Sequence, residues 1–288
     1  GPGGLYSYSA VDLPSRLSNE QQINLREALE TGEICAHFQP QLCNRTGRVS
    51  GLEALARWEH PEEGLLPPSR FLPWIEAAGL SARLAERMLR DALAMLKRLD
   101  AMGLGVPTVA INLSGPELRN PQLADEIAWE LDRHDLPPGR LVVEILETVV
   151  ADSDDDIRVR NIARLAEMGC GIDLDDFGTG HAAIANIRRF AVGRLKIDRS
   201  FITHLHEDRE RQRMVSAILS MAEQLELGTV AEGVESEAEL ALVARLGCGH
   251  SQGFAIARPM PGTLLPQWLR LNADARAQAP EPVGAPVS

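Results

Sequence analysis

Short apolar runs alternate along the chain with longer segments in which apolar residues recur every three or four positions. The short runs, bounded by polar and turn residues, predict β-strands at residues 34–40, 49–58, 109–114, 141–146, 171–175, 194–197, 228–231 and, more weakly, 251–255. The longer segments predict helices over residues 19–30, 82–99, 121–134, 154–167, 209–224 and 237–246. The helical spacing is clear at Leu84, Met88, Leu89, Leu93 and Leu96.

This alternation predicts an α/β fold. About eight strand–helix units favour a (β/α)8 barrel, and a doubly wound open sheet is the alternative. The first two strands are joined only by residues 41–48, where Asn44 and Gly47 provide turn chemistry. That connection is too short for a crossover helix, so these two strands should be antiparallel. The prediction is therefore a modified (β/α)8 TIM-like barrel with an antiparallel first strand.

The two ends of the chain lack the periodicity of the middle. Residues 1–18 begin with Gly-Pro-Gly-Gly, which resembles the scar of a cleaved expression tag followed by a linker. Residues 19–271 contain the predicted barrel, and the Ala- and Pro-rich residues 272–288 are predicted to be a disordered tail. We therefore expect a longer native protein whose upstream region is absent here.

Composition narrows the possible partners. The 288 residues carry a net charge of −12, which argues against a nucleic-acid polymer but permits a small phosphate ligand held on metal ions. No apolar run is long enough to cross a bilayer, so no membrane contact is expected. The four cysteines form no Cys-x-x-Cys pair, which favours reduced thiols in a cytoplasmic protein.

Polar residues stand at or near the end of nearly every predicted strand. They are Gln39, Glu53, Asn112, Glu144, Asp175, Asp176, Lys196, Glu232 and Gln252. Taken singly, each has a structural explanation; Lys196, for example, could pair with Asp198 two residues away. Burying so many polar groups without a purpose is costly, and the carboxyl ends of barrel strands form one mouth. Together they predict an active site there.

The adjacent Asp175 and Asp176 indicate a cation. Neighbouring side chains in a strand point to opposite faces, so two carboxylates converge only where the backbone turns. The following Phe-Gly-Thr-Gly supplies a turn, and converging carboxylates repel each other unless a cation lies between them. Since the strand-end ligands are mainly oxygen atoms, they favour Mg²⁺ or Mn²⁺, and their number favours two ions. Lys196 would add positive charge near an attacking water.

Ordered motifs make the chain resemble the EAL-domain family of cyclic di-GMP phosphodiesterases over about residues 20–270. One Glu-Ala-Leu carries little information, because Glu27-Ala28-Leu29 repeats it in this chain. The motifs are Gln39-Pro40, Glu53-Ala54-Leu55, Arg57-Trp58, His60-Pro61, Asn112-Leu113-Ser114, Glu144 with Glu147, residues 175–180, residues 195–198, residues 231–235 and Gln252-Gly253.

The resemblance implies hydrolysis of cyclic di-GMP to linear pGpG. It places Glu53, Asn112, Glu144 and Asp175 on one metal ion, and Asp175, Asp176 and Glu232 on a second, with Lys196 assisting the water. Glu53, Lys196, Asp176 and Glu232 would be catalytic. Ca²⁺ is expected to support binding but inhibit catalysis.

The resemblance also implies substrate contacts from Gln39, Arg57, Asp198, Glu235, Gln252 and Phe254. Glu147 would anchor the loop at residues 177–180, which links the metal site to the interface of a homodimer. An upstream sensor or GGDEF domain is expected in the longer protein.

The departures from the family pattern are Gln41, Ala56, Leu146, Phe254 and residues 181–184. They remove no proposed metal ligand. The alternatives to the enzyme are a receptor that binds cyclic di-GMP without cleaving it and an unrelated barrel enzyme acting on another phosphate ester.

Overall fold

Eight strands close a barrel in the computed structural model, which describes residues 19–147, 157–178, 187 and 190–278. The strands are β1 Ile34–Cys43, β2 Val49–His60, β3 Gly64–Leu66, β4 Val109–Leu113, β5 Leu141–Leu146, β6 Gly171–Phe177, β7 Arg194–Ile197, β8 Gly228–Ala231, β9 His250–Ser251 and β10 Met260–Pro261. The barrel order is β1-β2-β4-β5-β6-β7-β8-β9, and β9 pairs back with β1. The predicted barrel is confirmed, and the open sheet is excluded.

The strand β1 runs against the direction of the others. It is antiparallel to both of its barrel neighbours, β2 and β9, whereas the remaining barrel pairs from β2 to β9 are parallel. The β1–β2 hairpin is longer than predicted and pairs from Ile34↔Trp58 to Leu42↔Val49. The short strands β3 and β10 extend this hairpin at its edges.

Helices surround the barrel. They are α1 Asn19–Thr31, α2 Pro68–Ala77, α3 Ser81–Ala101, α4 Gly115–Leu118, α5 Leu123–Arg133, α6 Ile157–Met168, α7 Arg199–Ile202, α8 Arg209–Gln224, α9 Glu237–Arg245 and α10 Leu265–Gln278. The apolar stripe that predicted α3 is buried, and α3 packs on β1 and β4. None of the described helices combines the length and apolar character that crossing a bilayer requires.

Two regions differ from the prediction near the carboxyl terminus. The strand β9 ends at Ser251, and Gly253 then lies so close to backbone that a Cβ there would be 2.2 Å from the carbonyl oxygen of Val234. Helix α10 continues to Gln278, past the predicted tail boundary at 272, which fits the high helix propensity of its alanines. Residues 1–18 and 279–288 lie outside the described residues, as does the start of the helix predicted at 154–167.

The alternation of side chains divides the barrel into two environments. On β6, Ile172 and Leu174 are buried in the core between strands and helices. Asp173 and Asp175 alternate with them, so they face the barrel interior. The apolar core therefore lies outside the barrel wall, and the interior is left for polar chemistry.

Candidate active site

A fully buried lysine lies at the centre of the barrel mouth. The Nζ atom of Lys196 is 2.8 Å from Glu144 Oε2, 2.8 Å from Glu232 Oε1, 3.1 Å from Asp175 Oδ1 and 3.5 Å from Glu53 Oε2. Strands β2, β5, β6 and β7 and the residue after β8 thus converge on one ammonium. Lys196 does not pair with Asp198, as the sequence had allowed. Asp198 instead caps α7, where its carboxylate accepts from the Ser200 N–H at 2.9 Å.

The strand register explains the convergence. Asn112 on β4 is opposite Glu144 on β5, and Leu146 on β5 is opposite Asp175 on β6. The Asn112 Nδ2 group donates to Glu53 Oε1 at 2.8 Å. The four residues predicted for one metal ion, Glu53, Asn112, Glu144 and Asp175, are therefore on adjacent strands at one end of the barrel.

The backbone turns at Asp176 itself, one residue earlier than predicted. Asp176 has a φ of 54°, and the β6–β7 register shifts between Leu174 and Phe177. Its N–H donates to Asp175 Oδ1 at 3.0 Å. Asx residues tolerate this left-handed conformation better than most, and it lets two consecutive carboxylates face one point. Asp175, Asp176 and Glu232 offer oxygen atoms that lie within 4.8 Å of one another.

The residues present fit a divalent cation. Glu144 Oε1 is buried and accepts no hydrogen bond from the described residues. Five carboxylates, from Glu53, Glu144, Asp175, Asp176 and Glu232, share this mouth with the Lys196 ammonium. An orphaned buried oxygen, an excess of negative charge and an oxygen-only donor set are what Mg²⁺ or Mn²⁺ requires.

The electrostatic field of the site shifts several pKa values. Burial raises the pKa of Glu232 to about 8, with Lys196 opposing the shift, and burial together with the Asp175 charge raises the pKa of Asp176 to about 6. Burial and the charge of Glu53 hold the pKa of Glu144 well above its usual range. The pKa of Lys196 is also well raised, since its carboxylate neighbours outweigh its burial. A cation bound at the mouth would lower these raised carboxyl pKa values, because it favours the ionised form.

A buried glutamine network supports Glu53 from β1 and from the residue that follows β9. Gln252 Nε2 donates to Glu53 Oε2 at 2.6 Å and to Gln39 Oε1 at 3.1 Å. Gln41 Nε2 donates to Gln252 Oε1 at 2.9 Å, and Gln39 Nε2 donates to the carbonyl of Ala257 at 2.9 Å. From sequence, Gln41 was only a departure from the family pattern. Its position two residues after Gln39, on the same strand face, was the available signal.

The other predicted substrate residues lie in different environments. Arg57 is half-buried on the same face of β2 as Glu53, and burial lowers its pKa although Glu53 opposes the shift. The charge of Asp198 acts on Asp176. Glu235 is exposed, just before α9, and its N–H donates to Glu239 Oε2 at 2.8 Å.

Phe254 is 47% exposed, and the guanidinium of Arg258 lies 4.1 Å from its ring centroid. Arg258 was not predicted as a site residue, because no motif identifies it. This pair presents an aromatic face with an adjacent positive charge, which suits a nucleobase.

Glu147 is buried, and its Oε2 accepts from the Gly178 N–H at 3.1 Å. This contact connects the end of β5 to the start of the predicted loop at 177–180. Residues 179–180 and the substituted segment 181–184 lie outside the described residues.

Comparison with known proteins gives consistent matches. A family model for the EAL domain matches residues 22–259. The bifunctional diguanylate cyclase/cyclic di-GMP phosphodiesterase MucR of Pseudomonas aeruginosa is 39% identical over 243 residues, which cover 84% of this chain and 35% of MucR. The cyclic di-GMP phosphodiesterase NbdA of the same organism is 36% identical over 257 residues, covering 88% of this chain and 33% of NbdA.

The chain thus spans about a third of the length of these curated relatives. Among solved structures, the PaMucR phosphodiesterase in complex with c-di-GMP superposes with a TM-score of 0.80 at 38% identity. That alignment covers 85% of this chain and 99% of the PaMucR chain.

Proposed function

Since the chain belongs to the EAL-domain family, we propose that it is a metal-dependent phosphodiesterase that hydrolyses cyclic di-GMP to linear pGpG. The observation that carries the proposal is the convergence of Glu53, Glu144, Asp175 and Glu232 on the buried Lys196. A site that only bound the nucleotide would not need so many buried carboxylates around one ammonium. Two relatives whose names include this activity support it.

The metal ligands fall into two sets that share Asp175. Glu53, Asn112, Glu144 and Asp175 would hold one Mg²⁺ or Mn²⁺, and Asp175, Asp176 and Glu232 would hold the other. When bound, such ions supply positive charge to the phosphate oxygens and lower the pKa of a water molecule. Ca²⁺ takes the same ligand type but accepts looser geometry, so it should bind and inhibit.

The chain's own residues position the reacting groups. Lys196 fixes Glu144 and Glu232 and places an ammonium where charge develops on the phosphate. Arg57 is suited to a phosphate oxygen, because a guanidinium binds phosphate through paired donors. Gln252 and Gln39 hold the Glu53 carboxylate in one orientation.

The rim of the mouth would bind the guanine bases. Phe254 offers a ring for stacking, with Arg258 on its other face. Asp198 and Glu235 are carboxylates that can accept from the guanine amino and ring N–H groups. One of the two phosphodiester bonds would then be opened by water while the bases stay held.

The chain provides a matched test, since Glu-Ala-Leu occurs in it twice. The Glu53→Gln variant should lower the rate of pGpG formation with Mg²⁺ or Mn²⁺ by at least about 10²-fold. Glu27→Gln changes the exposed glutamate of the other Glu-Ala-Leu, on α1, and should retain the full rate. Product is measured by chromatography at fixed enzyme and ion concentrations.

Two outcomes would contradict this proposed function. Equal rates for the Glu53→Gln variant and the unaltered protein would remove Glu53 from the chemistry. Tight binding of cyclic di-GMP without turnover under Mg²⁺ or Mn²⁺ would instead identify a receptor.

We also propose that the chain works as a homodimer and as the output part of a longer regulator. The resemblance to the family supports the first point, and the length of the curated relatives supports the second. Sedimentation at micromolar concentration should show a dimer, and a monomer throughout that range would contradict it.

A further inference from the structure

A second group of metal-binding side chains lies on the β1–β2 hairpin. Cys35 and His37 are two residues apart on β1, so their side chains lie on the same face of the sheet. Cys35 is opposite Arg57 on β2. Glu59 follows two residues later on the same face of β2 as Arg57. One potential ligand atom from each of Cys35, His37 and Glu59 lies within 4.8 Å of the others.

The ring of His37 has an unused buried nitrogen. Its side chain is 4% exposed, and Nε2 lies 3.2 Å from Glu59 Oε1. The other nitrogen, Nδ1, is buried and has no hydrogen-bond partner among the described residues. Neither ring nitrogen is therefore held by the backbone of the described residues, and the imidazole is available to a metal ion.

We propose that Cys35, His37 and Glu59 form a binding site for Zn²⁺ or a similar borderline divalent transition metal. The donor set is one sulfur, one imidazole nitrogen and one carboxylate oxygen, which is the set that such ions prefer. The oxygen-only mouth of the barrel suits Mg²⁺ or Mn²⁺ instead. Three protein ligands leave a fourth tetrahedral position for water.

The three ligand atoms need to move only slightly closer together to bind one ion. Ligand atoms around a tetrahedral Zn²⁺ are roughly 3.3–3.8 Å apart, given the usual bond lengths. The Glu59 side chain is 55% exposed and can rotate toward the other two ligands. Cys35 and His37 are held by the β1–β2 ladder, so the rigid part of the site is already formed.

Charges of both signs surround this position, Glu59 and Asp91 on one side and Arg57 and Arg87 on the other. Burial, with the negative charges of Glu59 and Asp91, raises the pKa of the Cys35 thiol to about 11, so an ion must displace the thiol proton when it binds. Asp91 accepts from the Ala36 N–H at 3.1 Å and pairs with Arg87 at 3.0 Å, which fixes it beside the cluster. Burial lowers the pKa of His37 and Arg57 lowers it further, whereas Glu59 raises it.

Occupancy would stiffen the hairpin end that carries Arg57. The site uses none of the ligands of the barrel mouth and rests on its own contacts. Its existence can therefore be tested whether or not the phosphodiesterase proposal holds.

The test is a Co²⁺ titration of the whole chain in the presence of saturating Mg²⁺. Binding at Cys35 should give a thiolate-to-cobalt charge-transfer absorption with one equivalent, and Zn²⁺ should abolish it. The band should be lost in Cys35→Ser and His37→Gln. It should persist in Cys43→Ser, which makes the same change at another partly exposed cysteine of β1.

Glu59→Gln keeps the thiol and alters only an exposed side chain, so it guards against misfolding of the core variants. It should retain the band but weaken Co²⁺ binding at least about tenfold. Absence of the band in the unaltered protein would overturn the proposal. A band that survives in Cys35→Ser and disappears in Cys43→Ser would overturn it as well.

Discussion

At the scale of single residues, Lys196 balances the charge of the barrel mouth. Replacing it with Met leaves Glu144, Glu232 and Asp175 buried without their ammonium. We expect Lys196→Met to lower the free energy of unfolding by about 3–5 kcal/mol without divalent ions, because unpaired buried charges are costly. Mn²⁺ should recover part of that loss. Urea unfolding with and without Mn²⁺ measures both effects.

The control is the other lysine of the chain. Lys97 pairs with Asp135 at 3.1 Å in an exposed position, so Lys97→Met should change stability by no more than about 0.5 kcal/mol. If Lys196→Met were equally mild, Lys196 would not be compensating the carboxylates.

Gln41 acts on Glu53 through Gln252. Gln41→Leu removes the donor to Gln252 Oε1, while Gln252 remains buried. The expected cost is about 1–3 kcal/mol in the free energy of unfolding, because a buried acceptor loses its partner. Gln224→Leu makes the same change at an exposed position at the end of α8 and should be nearly neutral. Identical denaturation midpoints for both variants would show that the glutamine contact contributes nothing.

The polar residues of the mouth could be predicted from sequence, but their partners could not. Strand-end position and motif order identify Glu53, Glu144 and Lys196. The hydrogen bond from Gln41 to Gln252 joins residues 211 positions apart, and the Arg258–Phe254 pair depends on the path of the chain after β9. The contact between Gln41 and Gln252 follows from barrel closure, which local periodicity does not encode.

At the scale of elements, the end of β6 depends on Gly178. Its φ is 102°, and an added Cβ would lie 2.7 Å from the ring of Phe201. Gly178→Ala should therefore combine backbone strain with a steric clash and destabilise the protein by about 2–3 kcal/mol. It should also weaken the contact between the Gly178 N–H and Glu147, and so lower hydrolysis. Urea unfolding and the hydrolysis rate measure the two effects.

Gly103→Ala separates the two causes. Gly103 also has a positive φ, 68°, but nothing lies within 4 Å of its added Cβ. It should cost about 1 kcal/mol from strain alone. A Gly178→Ala variant no less stable than Gly103→Ala would mean that Phe201 moves aside freely.

Elements with strong patterns were predicted well, and elements defined by contacts were missed. The bounds of β5, β7 and β8 agree with the prediction, because apolar runs and turn residues delimit them. Helix α2 was missed: Pro68 begins it and Pro73 lies inside it, and proline ordinarily argues against a helix interior. The strands β3 and β10 have three and two residues, which is too short for periodicity to detect.

At the scale of the whole molecule, divalent ions should stabilise the fold. The mouth concentrates carboxylates in a chain whose net charge is already −12. An ion at 100 times its Kd should add about 2.7 kcal/mol to the free energy of unfolding. Mg²⁺, Mn²⁺ and Ca²⁺ should therefore all raise the Tm, although only the first two should support hydrolysis.

Asp175→Asn should abolish most of this rise, since Asp175 is shared by both proposed ligand sets. Glu207→Asn, at an exposed glutamate in the 3-10 turn Leu205–Glu207, should leave the rise unchanged. Differential scanning calorimetry checks the series. A Tm that is independent of all three ions would contradict a metal site at the mouth.

The burial of Lys196 also determines how the protein meets amine-directed reagents. The chain has two lysines, and the other, Lys97, has a side chain that is 49% exposed on α3. A succinimidyl ester should therefore label one lysine side chain quickly, in addition to the terminal α-amine. Lys196 would react only in molecules whose barrel has opened. The rate at which Lys196 is labelled would then report the rate of barrel opening. It is measured by mass spectrometry on the peptide that contains Lys196.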